Sequence, residues 1–479
     1  MSEYLSPGVY VEEFEMGAKP IEGVSTSTVG FVGAASYFSD ISTIADETTA
    51  AANKSEGDVK THVASAATKL VFIGNKVKAG SLDAARTALG DLETLVKQAS
   101  EAAAAITDQS KSAAAAAAVK AAEKALDVAK AQFNADKAVF VPSWADFVSK
   151  YGLYSASAPY LAPAVYAFFA NGGKRCYVVG VRENKDAALK GSDGGPGKRT
   201  GLEALKEIDE VSILAVPGAV SKTVQQAMIA QCELLKDRFC ILDSAEDADI
   251  AAVKKQREDN LTSDGGYGAL YYPWLKTGVE TLSDGKTELK SMFVPPSGAV
   301  AGIYARSDGE RGVHKAPANE VVRSVTELKY TLTEAEQDIL NPKGVNCIRA
   351  FSGRGIRVWG ARTISSDPSW KYVNIRRLFI YLEESIQEAT QWVVFEPNDE
   401  RLWARVRVTI ENFLDRVHRD GALMGSTPEE AYFVRCDRTT MTQDDIDNGR
   451  LIVVIGVAPV KPAEFVIFKI AQWTASANQ

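Results

Sequence analysis

A chain of 479 residues that is 46% hydrophobic and 24% charged can bury a large core, and its length suits about three domains of a soluble globular protein. Its formal charge of -8 argues against a nucleic-acid binder, because neutralising phosphates takes an excess of Lys and Arg, at least locally. The opening MSEYLSPGVYVEEFE has no basic segment followed by an apolar core, and no later run approaches the roughly 18 to 20 apolar residues of a membrane span, so neither export nor membrane insertion is expected.

Gly8 to Phe14 follows a Pro7-Gly8 turn signal and is rich in β-branched and aromatic residues, which predicts a short strand. Thr28 to Ala35 is strand-like as well. From about Ser42 to Lys137 alanine dominates, with an unbroken run from Ala113 to Ala118 and no proline or tryptophan. Alanine has the best intrinsic helix propensity, and Leu92, Leu95, Val96, Ala99, Ala103 and Ile106 recur at helical steps, as do Val119, Ala122, Leu126, Ala129 and Phe133. Two or three packed helices are expected, with Gly74, Gly80 and Gly90 as the breaks; a disordered spacer is the alternative, opposed by the regular spacing.

Strand and helix patterns then alternate. Tyr177 to Val181 reads as a buried strand, Gly191 to Gly197 as a loop, and Leu202 to Ile208 as a helix. They are followed by a strand at Val211 to Val216, a helix at Thr223 to Lys236, a strand at Phe239 to Asp243 and a helix at Ala248 to Glu258. Such alternation indicates an α/β layer. From Gly265 to Pro317 the chain is rich in Gly and Pro and reads as looser. A helix from about Val373 to Phe395 is followed by Asn398, the expected cap of a second helix that Gly421 stops. Arg450 to Ala458 and Glu464 to Ile470 close the chain as strands apolar on both faces, which call for covering on both sides.

Catalytic motifs are not found. A P-loop around Pro196-Gly197-Lys198 would need Gly and Ser or Thr where Ser192 and Arg199 stand. His62, His314 and His418 show neither HExxH nor CxxC partners, and no GxGxxG follows the Val178 strand. Asp444, Asp445 and Asp447 lack the regular ligands and glycine of an EF-hand and read as a solvated turn. The odd set of Cys176, Cys232, Cys240, Cys347 and Cys436 suits buried, reduced thiols in a cytoplasm. No catalytic residue, metal site or cofactor is expected.

Projected as a helix, Asn398 to Gly421 puts Leu402, Trp403, Val406, Ile410, Phe413, Leu414 and Val417 on one face, within roughly 120°. Arg401, Arg405, Arg416 and Arg419 fall within about 60° elsewhere, with Asn412 among them and with Glu411, Asp415 and His418 off the stripe. On an acidic chain this stripe is either a solvated surface or a contact strip for an acidic partner.

Three segments carry a family resemblance: Ser6 to Glu13 (SPGVYVEE), Ala301 to Asn319 (AGIYARSDGERGVHKAPAN) and Gly456 to Phe465 (GVAPVKPAEF), with Gly360 to Thr363 (GART) in support. With them the chain resembles the contractile tail sheath family of myophages, R-type bacteriocins and extracellular contractile injection systems, over nearly everything outside the alanine-rich block. The resemblance implies a structural subunit that assembles into a helical sheath of stacked, hexameric rings around an inner tube protein, with baseplate and terminator proteins as further partners and no direct nucleic-acid contact. It implies a tube-proximal carboxy-terminal domain, where Arg401, Arg405, Arg416 and Arg419 would contact the tube. It also implies arms from both chain ends that complete sheets in neighbouring subunits. The residues assigned to those inter-subunit strands are Val9, Tyr10, Val11 and Glu12, and Phe465, Val466, Ile467 and Phe468.

The expected fold class is α/β and α+β multidomain. Residues 1–39 would form the N-terminal arm and first strands, 40–139 a surface-exposed alanine-rich helical insertion, 140–345 an outer α/β domain and 346–479 the C-terminal sheath domain. Without the block roughly 380 residues remain, an ordinary sheath length, and insertions are tolerated where they leave the surface. Assembly in the bacterial cytoplasm, as part of a phage tail or tail-like particle, is expected. A static self-assembling lattice protein and an α/β enzyme with an unrecognised site are the alternatives.

Overall fold

The computed structural model describes residues 21–283 and 286–467; the expected strand residues Val9, Tyr10, Val11 and Glu12, and Phe468, lie outside them. The chain divides into two compact units: Ser25–Ile380 with residues 461–467, and Tyr381–Val460 with residues 21–24. Each is described by itself.

The larger unit is built on strands β1 (Val29–Ala34), β2 (Ala138–Val141), β3 (Cys176–Val181), β4 (Ile213–Ala215), β5 (Phe239–Asp243), β6 (Gly268–Tyr272), β7 (Leu275–Ser283), β8 (Lys286–Val294), β9 (Glu320–Val321), β10 (Glu327–Leu328), β11 (Val345–Phe351) and β12 (Gly355–Val358). Nine of them form one sheet in the order β2-β3-β1-β4-β5-β6-β11-β12-β9. The six from β3 to β11 run parallel, and β2, β12 and β9 add antiparallel edges. The central sequences VGFVGA and FCILD are buried at every position, as parallel strands covered on both faces must be. Helices Lys222–Leu235 and Ile250–Asn260 alternate with the strands and begin at side-chain caps, Ser221 Oγ accepting from Val224 N at 3.3 Å and Asp249 Oδ1 from Ala252 N at 2.8 Å. The boundary expected after residue 345 falls inside β11, which belongs to this sheet.

The Gly- and Pro-rich stretch expected to be loose holds regular secondary structure over most of its described residues. It contains β6, the antiparallel pair β7 and β8, and helix Ser297–Arg311, buried from Ser297 to Ser307. Its glycines serve packing. A Cβ on Gly298 would run into the Ala164 carbonyl, and one on Gly302 into the Phe168 carbonyl, so two glycines four apart let this helix lie against the backbone of helix Leu161–Ala170.

The alanine-rich block forms four helices rather than two or three: Ile41–Asn53, Gly57–Lys78, Leu82–Ala104 and Gln109–Ala131. They close over a hydrophobic cluster of their own that includes Val63, Leu70, Leu92, Val96, Ala118 and Ala122. Of the three expected breaks only Gly80 is one, with φ +74°; Gly74 and Gly90 are helical, and Gly74 lies against Ile41. Residues 138 and 139, expected to end the block, pair with β3 as part of β2.

In the smaller unit, helix Glu400–Arg419 buries the face read from the sequence, from Leu402 and Trp403 to Leu414 and Val417. Its cap is Asp399, whose Oδ1 accepts from Leu402 N at 2.9 Å; the expected cap Asn398 instead accepts from Trp403 Nε1 at 2.7 Å. Asp399 has the extended backbone an N-cap needs, and the side-chain oxygen of Asn398 is taken by the indole. Strands β13 (Tyr432–Arg435) and β14 (Val454–Val457) form an antiparallel pair. The closing strand expected from Glu464 is not formed over residues 464–467, which have no ladder partner among the described residues.

Candidate assembly surfaces

The four arginines of the stripe are all exposed, and the structure gives them different surroundings. The Arg405 guanidinium stacks 4.6 Å from the centre of the Trp392 ring, and Arg416 donates to the Ile21 carbonyl. Arg419 lies 3.2 Å from Asp415, a residue the projection put off the stripe but which is its neighbour one turn back. Arg401 has no ion pair among the described residues. Exposed Val408 and Asn412 share this side of the helix.

The β13 and β14 pair has one open edge on each strand among the described residues. Tyr432 Oη ties it to the helix, donating to Asp415 Oδ1 at 2.8 Å, and burial together with that carboxylate pushes the phenol upward. Phe433 and Val454 remain exposed. A two-stranded ribbon is marginal by itself and gains stability from added strands.

Residues 465–467 form a second exposed apolar surface, in the larger unit. Phe465, Val466 and Ile467 are 70%, 70% and 80% exposed, three successive apolar side chains without cover among the described residues. Immediately before them, Glu464 is held within the larger unit. Its Oε1 accepts from Arg362 Nε at 2.7 Å and Asn341 Nδ2 at 2.9 Å, and its Oε2 from Arg362 Nη2 at 2.8 Å and Tyr372 Oη at 3.0 Å. Lys371 Nζ is 3.5 Å away. Burial would raise the Glu464 carboxyl, but the hydrogen bonds and charge of Arg362 prevail and hold it down at about 2. Both partners lie in segments that carry the family resemblance, but their contact leaves no sequence signature, because they stand 102 positions apart.

At the carboxyl ends of β4 and β5, an edge where doubly wound sheets bind ligands, the chain supplies its own contacts. Gly218 lies under the Tyr160 ring. Asp243, at the end of β5, accepts from Gly218 N at 3.0 Å, Ser297 N at 2.8 Å and Ser297 Oγ at 2.7 Å. The loop tested as a P-loop is closed by its own acid, Gly197 N donating to Glu207 at 2.7 Å. Asp444 and Asp445 lie in the short helix Gln443–Asp447, paired with Arg450. All five cysteines are buried and free. Among the described residues no helix is long and apolar enough to cross a membrane, and no group of three His, Cys, Asp or Glu could hold a metal ion.

Residues 185–364 match the phage tail sheath protein central domain, and residues 365–472 the phage tail sheath C-terminal domain. The tail sheath protein of Vibrio phage KVP40 is 26% identical over 193 residues, which are 40% of this chain; the match spans 28% of that relative. Among solved structures, a chain of the anti-feeding prophage baseplate, 6-fold symmetrised, is 35% identical with a TM-score of 0.59, over 71% of this chain and 89% of that one. A chain of the PVC sheath complex of an extracellular contractile injection system, in the contracted state, is 26% identical with a TM-score of 0.65, over 98% of this chain and 99% of that one. With both sheath domains matched in order and a solved relative above 30% identity covered almost whole, the chain belongs to the contractile tail sheath family.

Proposed function

We propose that this chain is the repeating subunit of a sheath that polymerises in stacked hexameric rings around an inner tube and shortens to drive the tube through a target envelope. The observation that carries the reading is the likeness, along 98% of the chain, to a sheath subunit solved in its contracted state. The unpartnered apolar segment at Phe465, Val466 and Ile467 and the open edges of the β13 and β14 pair fit strand exchange between copies. So do Val9, Tyr10, Val11, Glu12 and Phe468, by the family's pattern. Contraction then is rigid-body movement of subunits out of a kinetically trapped arrangement, with the work stored in packing and no nucleotide or cofactor required. The chain acts mechanically rather than as an enzyme, assembling in the bacterial cytoplasm with tube, baseplate and terminator proteins. The helical module of residues 41–131 decorates the outside.

The arginine stripe is the tube contact in this reading. Arg401 is its open charge among the described residues, while Arg419 is shared with Asp415 and Arg405 and Arg416 are engaged by Trp392 and Ile21. Each exposed charge contributes about 0.2–1 kcal/mol, so strength comes from repetition along the tail. Electron microscopy of the chain co-expressed with its tube protein tests the proposal. Striated tubes that shorten and widen on triggering are expected, while filaments of fixed length would mark a static lattice. Arg401→Glu with Arg419→Glu should leave the fold intact and abolish sheathing of the tube; normal sheathing by that variant would overturn the stripe assignment.

A further inference from the structure

The segment 362–377 holds the chain near both of its described ends. Arg362 and Tyr372 take Glu464 in the contacts above, and Arg377 Nη2 donates to the Thr26 carbonyl at 2.8 Å while pairing with Asp308. Thr26 closes this second cluster by donating from Oγ1 to Asp308 Oδ2 at 2.7 Å. Two arginine–carboxylate contacts, 15 positions apart on one stretch of chain, therefore fix the roots of the two terminal segments.

We propose that Glu464 is the positioning residue of the C-terminal segment: its clasp on Asn341, Arg362, Lys371 and Tyr372 fixes where Phe465, Val466 and Ile467 leave the larger unit, so that they are presented to a second copy of this chain. The proposal rests on the reading of those residues as an inter-subunit strand. Glu464 is the last residue before the exposed run, and its carboxylate is saturated, four hydrogen bonds occupying roughly the four lone-pair sites it has. A two-pronged guanidinium fixes direction as well as position, which a lysine alone would not. Among the described residues nothing repays ordering of these three exposed apolar side chains. Tethering their root lowers the entropy cost that a neighbour's sheet edge would otherwise have to offset on association.

Two measurements on the full chain test this. Nitroxides at Asp338→Cys and Ile467→Cys, both exposed positions in a chain whose native cysteines are buried, report the spread of distances from the segment to the larger unit. Polymerisation is followed by light scattering, with deletion of residues 465–479 alongside. In Glu464→Ala the distance distribution should broaden and polymerisation slow by roughly ten- to a hundredfold, the ratio expected for losing a charge-assisted hydrogen bond. Glu464→Gln, which keeps an oxygen acceptor, should fall between, and it carries the test if the alanine variant does not fold. A narrow distribution or parental polymerisation in these variants, while the deletion blocks assembly, would overturn the clasp and leave the strand reading intact. Parental polymerisation of the deletion would overturn the strand reading itself.

Discussion

Arg377 and Asp308 face each other through two parallel hydrogen bonds, Nη1 to Oδ1 at 2.9 Å and Nη2 to Oδ2 at 2.6 Å, with both side chains buried and the guanidinium 4.6 Å from the centre of the Tyr304 ring. A buried pair of this kind is expensive to break from one side, because the remaining charge has no solvent. Arg377→Met should destabilise the larger unit by about 3–5 kcal/mol in urea unfolding. Arg377→Met combined with Asp308→Leu should recover much of that loss. A double variant as unstable as the single one would show that the cluster's worth lies in its bonds to Thr26 and not in the charge pair.

Gly298→Ala and Gly302→Ala should each cost about 1–3 kcal/mol or more, since the added methyl meets backbone carbonyls of the neighbouring helix, which cannot rotate away. Gly90, also helical, has open space where a Cβ would go. Gly90→Ala should therefore stabilise the alanine-rich module by about 0.5–1 kcal/mol. Thermal melts of the three variants distinguish the two kinds of glycine.

Two carboxylates make opposite contributions to acid stability. Burial pushes Asp243 up to about 6 against its ordinary 3.8, hydrogen bonds from Ser297 and Gly218 offsetting part of the rise. The native state thus holds a proton the unfolded chain has released, and this group's contribution falls as pH rises from 3.8 to 6, then levels. Glu464 is held at about 2 against 4.5, so its contribution is complete above 4.5 and is lost as pH falls toward 2. Urea midpoints should show the falling limb disappear in Asp243→Asn and the acid limb in Glu464→Gln. Asp243→Asn should also lose about 1–3 kcal/mol at neutral pH, because its amide NH2 opposes one of the donors now facing the carboxylate.

The helical module can be removed if the cut respects the sheet. Ala35 N donates to Val181 O at 3.2 Å and Asp136 N to Gly180 O at 2.8 Å, so the chain leaves and returns on either side of β3, about 10 Å apart at two strand spacings. Replacing residues 41–131 with a short Gly/Ser linker, with residues 36–40 and 132–135 kept on either side of it, leaves ample chain to span that gap. It keeps Phe38 and Tyr151 in contact and Gln132 donating to the Tyr37 carbonyl at 2.6 Å. The shortened chain should lose helical circular dichroism and retain the melting transition of the sheet. Cutting through residue 139 should be worse, since it removes half of β2. A shortened chain that fails to fold would make the module an integral part of the core.

What the sequence determined by itself was local and periodic. Parallel strands such as β1 and β5, apolar but for Asp243 at the end of β5, the helicity of the alanine-rich block and the buried stripe of helix Glu400–Arg419 depend on propensity and on which face a residue takes, and both are written in neighbouring positions. Family membership was legible for the same reason, in short contiguous segments. The tertiary structure decided what composition described ambiguously. Gly298 and Gly302 raised the glycine content of a stretch that looked like loop, and only the approach of helix Leu161–Ala170 shows them as packing surfaces. Asp399 rather than Asn398 caps the helix because Trp403 engages the asparagine. Arg419 is paired, Arg405 stacked and Arg401 open, though the three look equivalent on a helical wheel. Arg362 finds Glu464, and Arg377 finds Asp308, across 102 and 69 positions. A charge pair that remote leaves no period in the chain, because its geometry exists only once the sheet has brought the two segments together.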